Sequence, residues 1–126
     1  MTTAFFDQPA LLDTLEHLTN AELDQLSFGV IGMDANGIVR RYNSVELKMA
    51  NLSRDNVLNQ HLFTHVAPCM NNFMVAQRFE DVTASGEDLD VTIDYVLTLR
   101  MRPKRVKLRL LARGRQTLRY VIVQPI

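Results

Sequence analysis

From Leu89 onward the apolar residues fall on every second position: Leu89, Val91, Ile93, Tyr95, Leu97, Leu99 and Met101 alternate with Asp90, Thr92, Asp94, Val96, Thr98, Arg100 and Arg102. Successive side chains of a strand point to opposite faces, so this run predicts one long strand with a single apolar face. Pro103 is read as the residue that turns the chain. Val106, Leu108 and Leu110 then face one way and Arg105, Lys107 and Arg109 the other. After Arg113-Gly114-Arg115-Gln116 a last strand is expected from Thr117 to Val123.

Upstream the period is different. Leu11, Leu12, Leu15 and Leu18, then Leu23 and Leu26 after Asn20 as a possible cap, predict two short helices between about 10 and 26. Such short helices are not stable unaided, so their apolar faces must rest on a sheet that follows. Phe28 to Met33 and Ile38 to Tyr42 read as strands joined by Asp34-Ala35-Asn36-Gly37, where Asn-Gly signals a tight hairpin because both residues accept positive φ. Two helical turns are expected next, Asn43 to Met49 and Ser53 to Leu58, and then an amphipathic helix from Phe73 to Ser85 marked by Val75, Phe79 and Val82 and ended by Gly86. Helices, a hairpin, a helical middle and a three-stranded meander amount to an α+β domain with a five-stranded antiparallel sheet.

At 126 residues the chain fits one domain, able to bury roughly two thirds of its unfolded surface. Fourteen basic and fourteen acidic side chains cancel, which removes the positive field that nucleic acid or an anionic membrane surface would need. One cysteine makes no intramolecular disulfide. The first residues lack the basic and apolar regions of a secretory signal, and no apolar run is long enough to span a bilayer, so the expected location is cytoplasmic.

Three residues carry the candidate chemistry. Cys69 is the single thiol and follows Pro68, which fixes its own φ and pushes Ala67 away from helix, so the thiol belongs to an irregular segment open to an acyl donor. The alternative is a small buried hydrophobe. Tyr42 is either a packed strand-end ring or a phenol donor. In Asn43-Ser44-Val45-Glu46 an N-cap Asn precedes a Glu by three, so Glu46 is either half of a capping box or a buried acid. His61, His65 and Cys69 stand four apart, but a helix carrying three metal ligands would have to run through Ala67-Pro68. A Cys69 nucleophile with His65 as base lacks an oxyanion arrangement in so short a chain.

Read together, Phe28-Gly29, Tyr42-Asn43, Glu46, Val66-Ala67-Pro68-Cys69, Ala84-Ser85-Gly86 and Met101 resemble the photoactive yellow proteins, and the similarity runs along nearly the whole chain. It implies a PAS-like fold in which 1–126 form a single domain, with 1–27 an N-terminal helical cap and 28–126 the PAS core. It also implies a blue-light photoreceptor, not an enzyme, with p-coumaric acid linked as a thioester to Cys69 of the Ala67-Pro68-Cys69 phrase. In that family the residues matching Tyr42 and Glu46 donate hydrogen bonds to the pigment's phenolate, and the methionine matching Met101 helps restore the dark geometry. Light would isomerise the pigment, Glu46 would pass it a proton, and the cap would loosen toward an unknown downstream signalling protein. The implied protein is a monomer or weak dimer without nucleic-acid or membrane partners. The competing class is a PAS-like module that binds a ligand non-covalently or only dimerises.

Holding a phenol ionised at neutral pH asks for about three pKa units, or ~4 kcal/mol, against the effect of burial. Two bonds to a charged acceptor supply ~3–6 kcal/mol, so the anion is held with little margin. This chain departs from the family where that margin is set. Ala50 stands in place of a threonine that supports the tyrosine, Leu52 in place of an arginine over the ring, and Leu97 and Leu99 in place of aromatic residues. The expected dark state therefore mixes ionised and protonated pigment and shows a second, near-ultraviolet band. A pH titration that keeps a single visible band into acid would refute it.

Overall fold

The computed structural model describes residues 4–99, 102–114 and 118–126, with the side chains of Leu99 and Arg102 left aside. Five antiparallel strands make one sheet in the order β2-β1-β5-β4-β3, where β1 is Gly29–Met33, β2 Val39–Tyr42, β3 Asp88–Leu99, β4 Arg102–Arg113 and β5 Arg119–Pro125. β1 and β5 are inner strands, and the first five residues of β5 are all buried. An inner strand covered on both faces has no use for a polar side, which is why Tyr120-Val121-Ile122-Val123 reads as a continuous apolar run.

Each face has its own core. One contains Ile31, Met33, Leu97, Leu108, Leu110, Val121 and Val123, under helices α3 (Ser44–Ala50), α4 (Arg54–Val57) and α5 (Ala76–Ser85). The other contains Val30, Leu111, Tyr120 and Ile122, under the N-terminal helices α1 (Leu11–His17) and α2 (Asn20–Leu23). Leu11, Leu12, Leu15, Leu23 and Leu26 form the expected apolar faces. Full burial of such a side chain contributes roughly 1.5–3 kcal/mol, which holds helices of seven and four residues that would melt alone.

Several local expectations are corrected. The cap of α2 is Thr19, not Asn20. Thr19 Oγ1 accepts from the Glu22 amide at 3.1 Å and the Glu22 carboxylate accepts from the Thr19 amide at 2.9 Å, while Asn20 accepts from Arg41 Nε. In the β1–β2 turn Gly37 has φ +81° and Asn36 does not share the positive φ. The Asp34 carboxylate closes the turn by accepting from the Asn36 and Ile38 amides. α5 begins at Ala76 rather than Phe73, because the Asn72 side chain takes the Met74 and Val75 amides in a turn of its own. Gly86 ends it, with φ +77°.

Pro103 does not turn the chain. It lies in β4 opposite Thr98, at the start of the strand, where a missing donor is tolerated, and Leu99 already pairs with Arg102 ahead of it. Arg109 does face away from Leu108 and Leu110, but the N-terminal segment covers it there. It is 6% exposed and fork-bonds Asp90, both distances 2.9 Å, while its Nη1 donates to the carbonyls of Phe6 (2.9 Å) and Gln8 (2.7 Å).

Candidate functional site

Tyr42 closes β2 and Glu46 lies in the first turn of α3, one helical turn later, so the connection between strand and helix brings both side chains to the same place. Both are buried, at 5% and 3% exposure. Tyr42 Oη lies 3.5 Å from Glu46 Oε2, at the outer limit of a hydrogen bond. Glu46 Oε1 is buried with no hydrogen-bond partner among the described residues. Burial pushes the Glu46 carboxyl up from its ordinary 4.5 to about 8, against smaller opposing effects of Tyr42 and of the Lys104 charge. At neutral pH it is therefore an acid that keeps its proton. Burial also raises the Tyr42 phenol, and the negative charges available at Glu46 and Cys69 push the same way.

The capping-box alternative for Glu46 fails on one bond. Asn43 Oδ1 does accept the Glu46 amide at 3.2 Å, but the Asn43 amide donates to the Val30 carbonyl at 3.1 Å, so nothing remains for the Glu46 carboxyl to cap. The Asn43 side chain does more than cap. Its Oδ1 also accepts the Val30 amide (2.9 Å), and its Nδ2 donates to the carbonyls of Leu23 (2.9 Å) and Phe28 (3.0 Å). Gly29 supplies the room: a Cβ there would stand 2.2 Å from Glu46 Oε1.

Cys69 is a free, half-buried thiol in a single 3-10 turn, Pro68–Met70, which follows a wide helical turn over Leu62–Val66. Ala67 joins the two turns with φ −137° and ψ 71°, the break expected before a proline. The Cys69 carbonyl accepts from Tyr95 Oη at 2.5 Å and from Asn72 Nδ2 at 3.3 Å, so strand β3 and the start of the α5 region both hold the cysteine's peptide. Ala50 is buried at the end of α3, and Leu52 packs against the same core as Cys69. Met101 lies outside the described residues. His61 caps the turn after it by accepting the Phe63 amide, and His65 contacts Thr64 Oγ1, so each has a local role. The sequence points to Asn43 as the N-cap of α3 but not to its bonds with Val30, Leu23 and Phe28, and it assigns no role of this kind to Gly29, Tyr95 or Asn72. A tyrosine in an apolar alternation, whose buried hydroxyl needs a partner, was the available signal for Tyr95.

Two curated relatives share the name photoactive yellow protein. One, from Halochromatium salexigens, is 31% identical over 107 residues, which is 85% of each chain. The other, from Rhodothalassium salexigens, is 30% identical over 102 residues, 81% of each. This chain belongs to the photoactive yellow protein family. A crystal structure of the photoactive yellow protein domain of the sensor histidine kinase Ppr from Rhodospirillum centenum superposes with a TM-score of 0.81 at 33% identity, covering 89% of this chain and 97% of that one. The PAS domain of an HTR-like protein from Haloarcula marismortui, at 16% identity and a TM-score of 0.61, shares the PAS fold with the photoactive yellow proteins. No protein-family model matches the chain. The family is one of PAS-fold photoreceptors, and among the described residues no helix is long and apolar enough to cross a membrane.

Proposed function

We propose that this member of the photoactive yellow proteins is a blue-light receptor that carries p-coumarate as a thioester on Cys69, with Tyr42 and Glu46 as donors to the phenolate. The observation that supports it most is the Glu46 carboxyl: 3% exposed, protonated at neutral pH, beside a buried phenol, and with an oxygen that no described residue satisfies. A buried polar atom without a partner is costly, so a bound acceptor at this point would remove a penalty as well as add a bond. The fit extends to the thiol, which is half-buried, free, and close enough to Tyr42 for its charge to raise the phenol. When bound, the pigment would supply visible absorption, a double bond that light can isomerise, and a basic oxygen.

The chain's own residues do the rest. Glu46 holds a proton that it can give up. The carboxylate left behind would sit in an apolar site, with the Lys104 charge as its distant compensation, and an isolated buried charge is expensive. That cost falls on the first turn of α3, whose Glu46 amide is bonded to Asn43, and Asn43 in turn holds the carbonyls of Leu23 and Phe28. The N-terminal helices are thus the element that such a charge would loosen, and the surface they uncover is where a signalling partner would dock.

The decisive experiment mixes the pigment-free chain with an activated p-coumarate ester. A mass gain of one p-coumaroyl group and a visible band are expected, both absent in Cys69→Ala. Glu46→Gln should keep the adduct and shift its band to the red, since an amide still donates but holds no acidic proton. An unmodified thiol under conditions that load a known family member would end this reading.

A further inference from the structure

The two edges of the sheet differ. The outer side of β2 is used within the chain: the Val39 amide donates to the Gln60 carbonyl (2.9 Å), the Asn59 amide to the Val39 carbonyl (2.9 Å) and the Leu62 amide to the Gly37 carbonyl (2.8 Å). β3 ends the sheet on the other side, and among the described residues no backbone bond reaches its outer edge. It also lacks the features that keep an edge from pairing, since it runs for 12 residues in unbroken register with β4 and holds no proline, lysine or arginine. Its neighbours show which backbone groups face outward. The Ile126 amide donates to the Arg105 carbonyl at 3.2 Å, so Arg105 turns its backbone toward β5, and Val96, its partner in β3, turns amide and carbonyl away from β4. With a period of two, the same holds for Asp88, Asp90, Thr92, Asp94 and Thr98.

We infer that β3 is the interface of a symmetric dimer, in which its outer edge pairs antiparallel with the same edge of a second copy of this chain about a twofold axis at Ile93. Each outward residue then exchanges two backbone bonds with its opposite, and one sheet continues into the other. The side chains agree with this register on both faces. On the α5 face Leu89 meets Leu97, Val91 meets Tyr95 and Ile93 meets itself, which joins the apolar margins of the two cores. On the opposite face Asp88 meets Thr98, Asp90 meets Val96, and Thr92 brings a hydroxyl donor to Asp94, so no acid faces an acid. Charge excludes the adjacent registers. With the axis at Thr92, Asp90 would oppose Asp94, and with the axis at Asp94 that residue would oppose itself. The strand is thus complementary to its own reverse, which singles out a second copy over an unrelated strand. A depression of about 500 Å³ beside Asp94, Tyr95 and Val96, bounded also by Met74 and Ile126, lies where Asp90, Val91 and Thr92 of the second copy would run. Phe73, next to Met74 in the chain, is 79% exposed, and Val96 and Ile126 are also exposed, so apolar surface is open around this edge.

Sedimentation equilibrium of the pigment-free full chain reads this interface whether or not the pigment site works. A monomer–dimer equilibrium with a dissociation constant of about 100 μM or tighter is expected. On dilution, amide NMR shifts should concentrate at Asp90, Thr92, Asp94 and Val96 and leave β2 unmoved. Thr92 is exposed, so its side chain can be changed without touching either core. Thr92→Lys sets a cation opposite Asp94 of the second copy, twice in each dimer, and should tighten the dimer about fivefold at low salt, a gain that 1 M salt (roughly a 3 Å screening length) removes. Thr92→Glu sets like charges there and should weaken the dimer by about the same factor. The inference is overturned by a chain that stays monomeric to about 1 mM, by equal dissociation constants for the two Thr92 variants, or by dilution shifts that fall on the N-terminal helices instead of β3.

Discussion

A carboxyl group held at 3% exposure beside Tyr42 keeps its proton over a pH range in which the same group in an unfolded chain has lost it. The sign follows directly. Between 4.5 and about 8 the unfolded state binds fewer protons than the folded one, so the Glu46 contribution to stability is complete below that window and is lost as pH rises through it, by about 1.4 kcal/mol per pH unit. Urea midpoints of the pigment-free chain are therefore expected to fall across this window and those of Glu46→Gln to fall much less; parallel curves for the two proteins would mean that Glu46 is already ionised. Gly29 makes a linked prediction. A Cβ there would stand 2.2 Å from Glu46 Oε1 and 3.0 Å from Met49 Cε, and the carboxyl, at the end of a rotatable side chain, is the part that can give way. Gly29→Ala should fold, expel the carboxyl toward water, and flatten the pH dependence as Glu46→Gln does. An unchanged slope would show that the carboxyl can share its site with a methyl group.

The short helices hold their places through single polar side chains as well as through apolar burial. α3 is tied by Asn43, whose side chain serves the Val30 and Glu46 amides and the Leu23 and Phe28 carbonyls. Asn43→Ala removes a helix cap and strands buried carbonyls, which together should cost roughly 2–4 kcal/mol in a urea titration and speed amide exchange near Leu23 and Phe28 first. A loss below about 1 kcal/mol would mean that water replaces these bonds. α1 depends on guanidinium groups. Arg41 donates to the carbonyls of Leu15 and Leu18 and to Tyr120 Oη, Tyr120 Oη donates to Glu16 at 2.9 Å, and Arg113 pairs with Asp13. These contacts act beside the apolar burial of Leu11, Leu12 and Leu15, so a change in them weakens the hold on the N-terminal segment as a unit.

Two cores share one sheet, and the strands between them transmit what happens on one face to the other. Val30 belongs to the N-terminal core while its backbone is bonded to Asn43, next to the Tyr42 and Glu46 pair, so the pigment site proposed here and the N-terminal helices meet at β1. In the pigment-loaded protein under steady blue light, amides of 4–27 are expected to exchange about tenfold or more faster than in the dark, while β1 and β5 keep their protection. Equal exchange in light and dark would sink the loosening of the cap and leave the loading chemistry untouched. What was legible in the amino-acid order is what neighbours along the chain decide. The alternation from Leu89 to Leu99, the three- and four-residue spacing of Leu11 to Leu26, the turn at Gly37 and the helix stop at Gly86 depend on local backbone geometry and came out as strand, helices, turn and cap. Arg109 and Arg119 could not be told from surface arginines, because their burial depends on segments that arrive from elsewhere in the chain. Glu46 shows the division most clearly: its position three residues after Asn43 suits a capping box and a buried acid equally well. Only the fold, by delivering the Val30 carbonyl to the Asn43 amide, removed the partner that would have made Glu46 a cap and left its carboxyl protonated in the core.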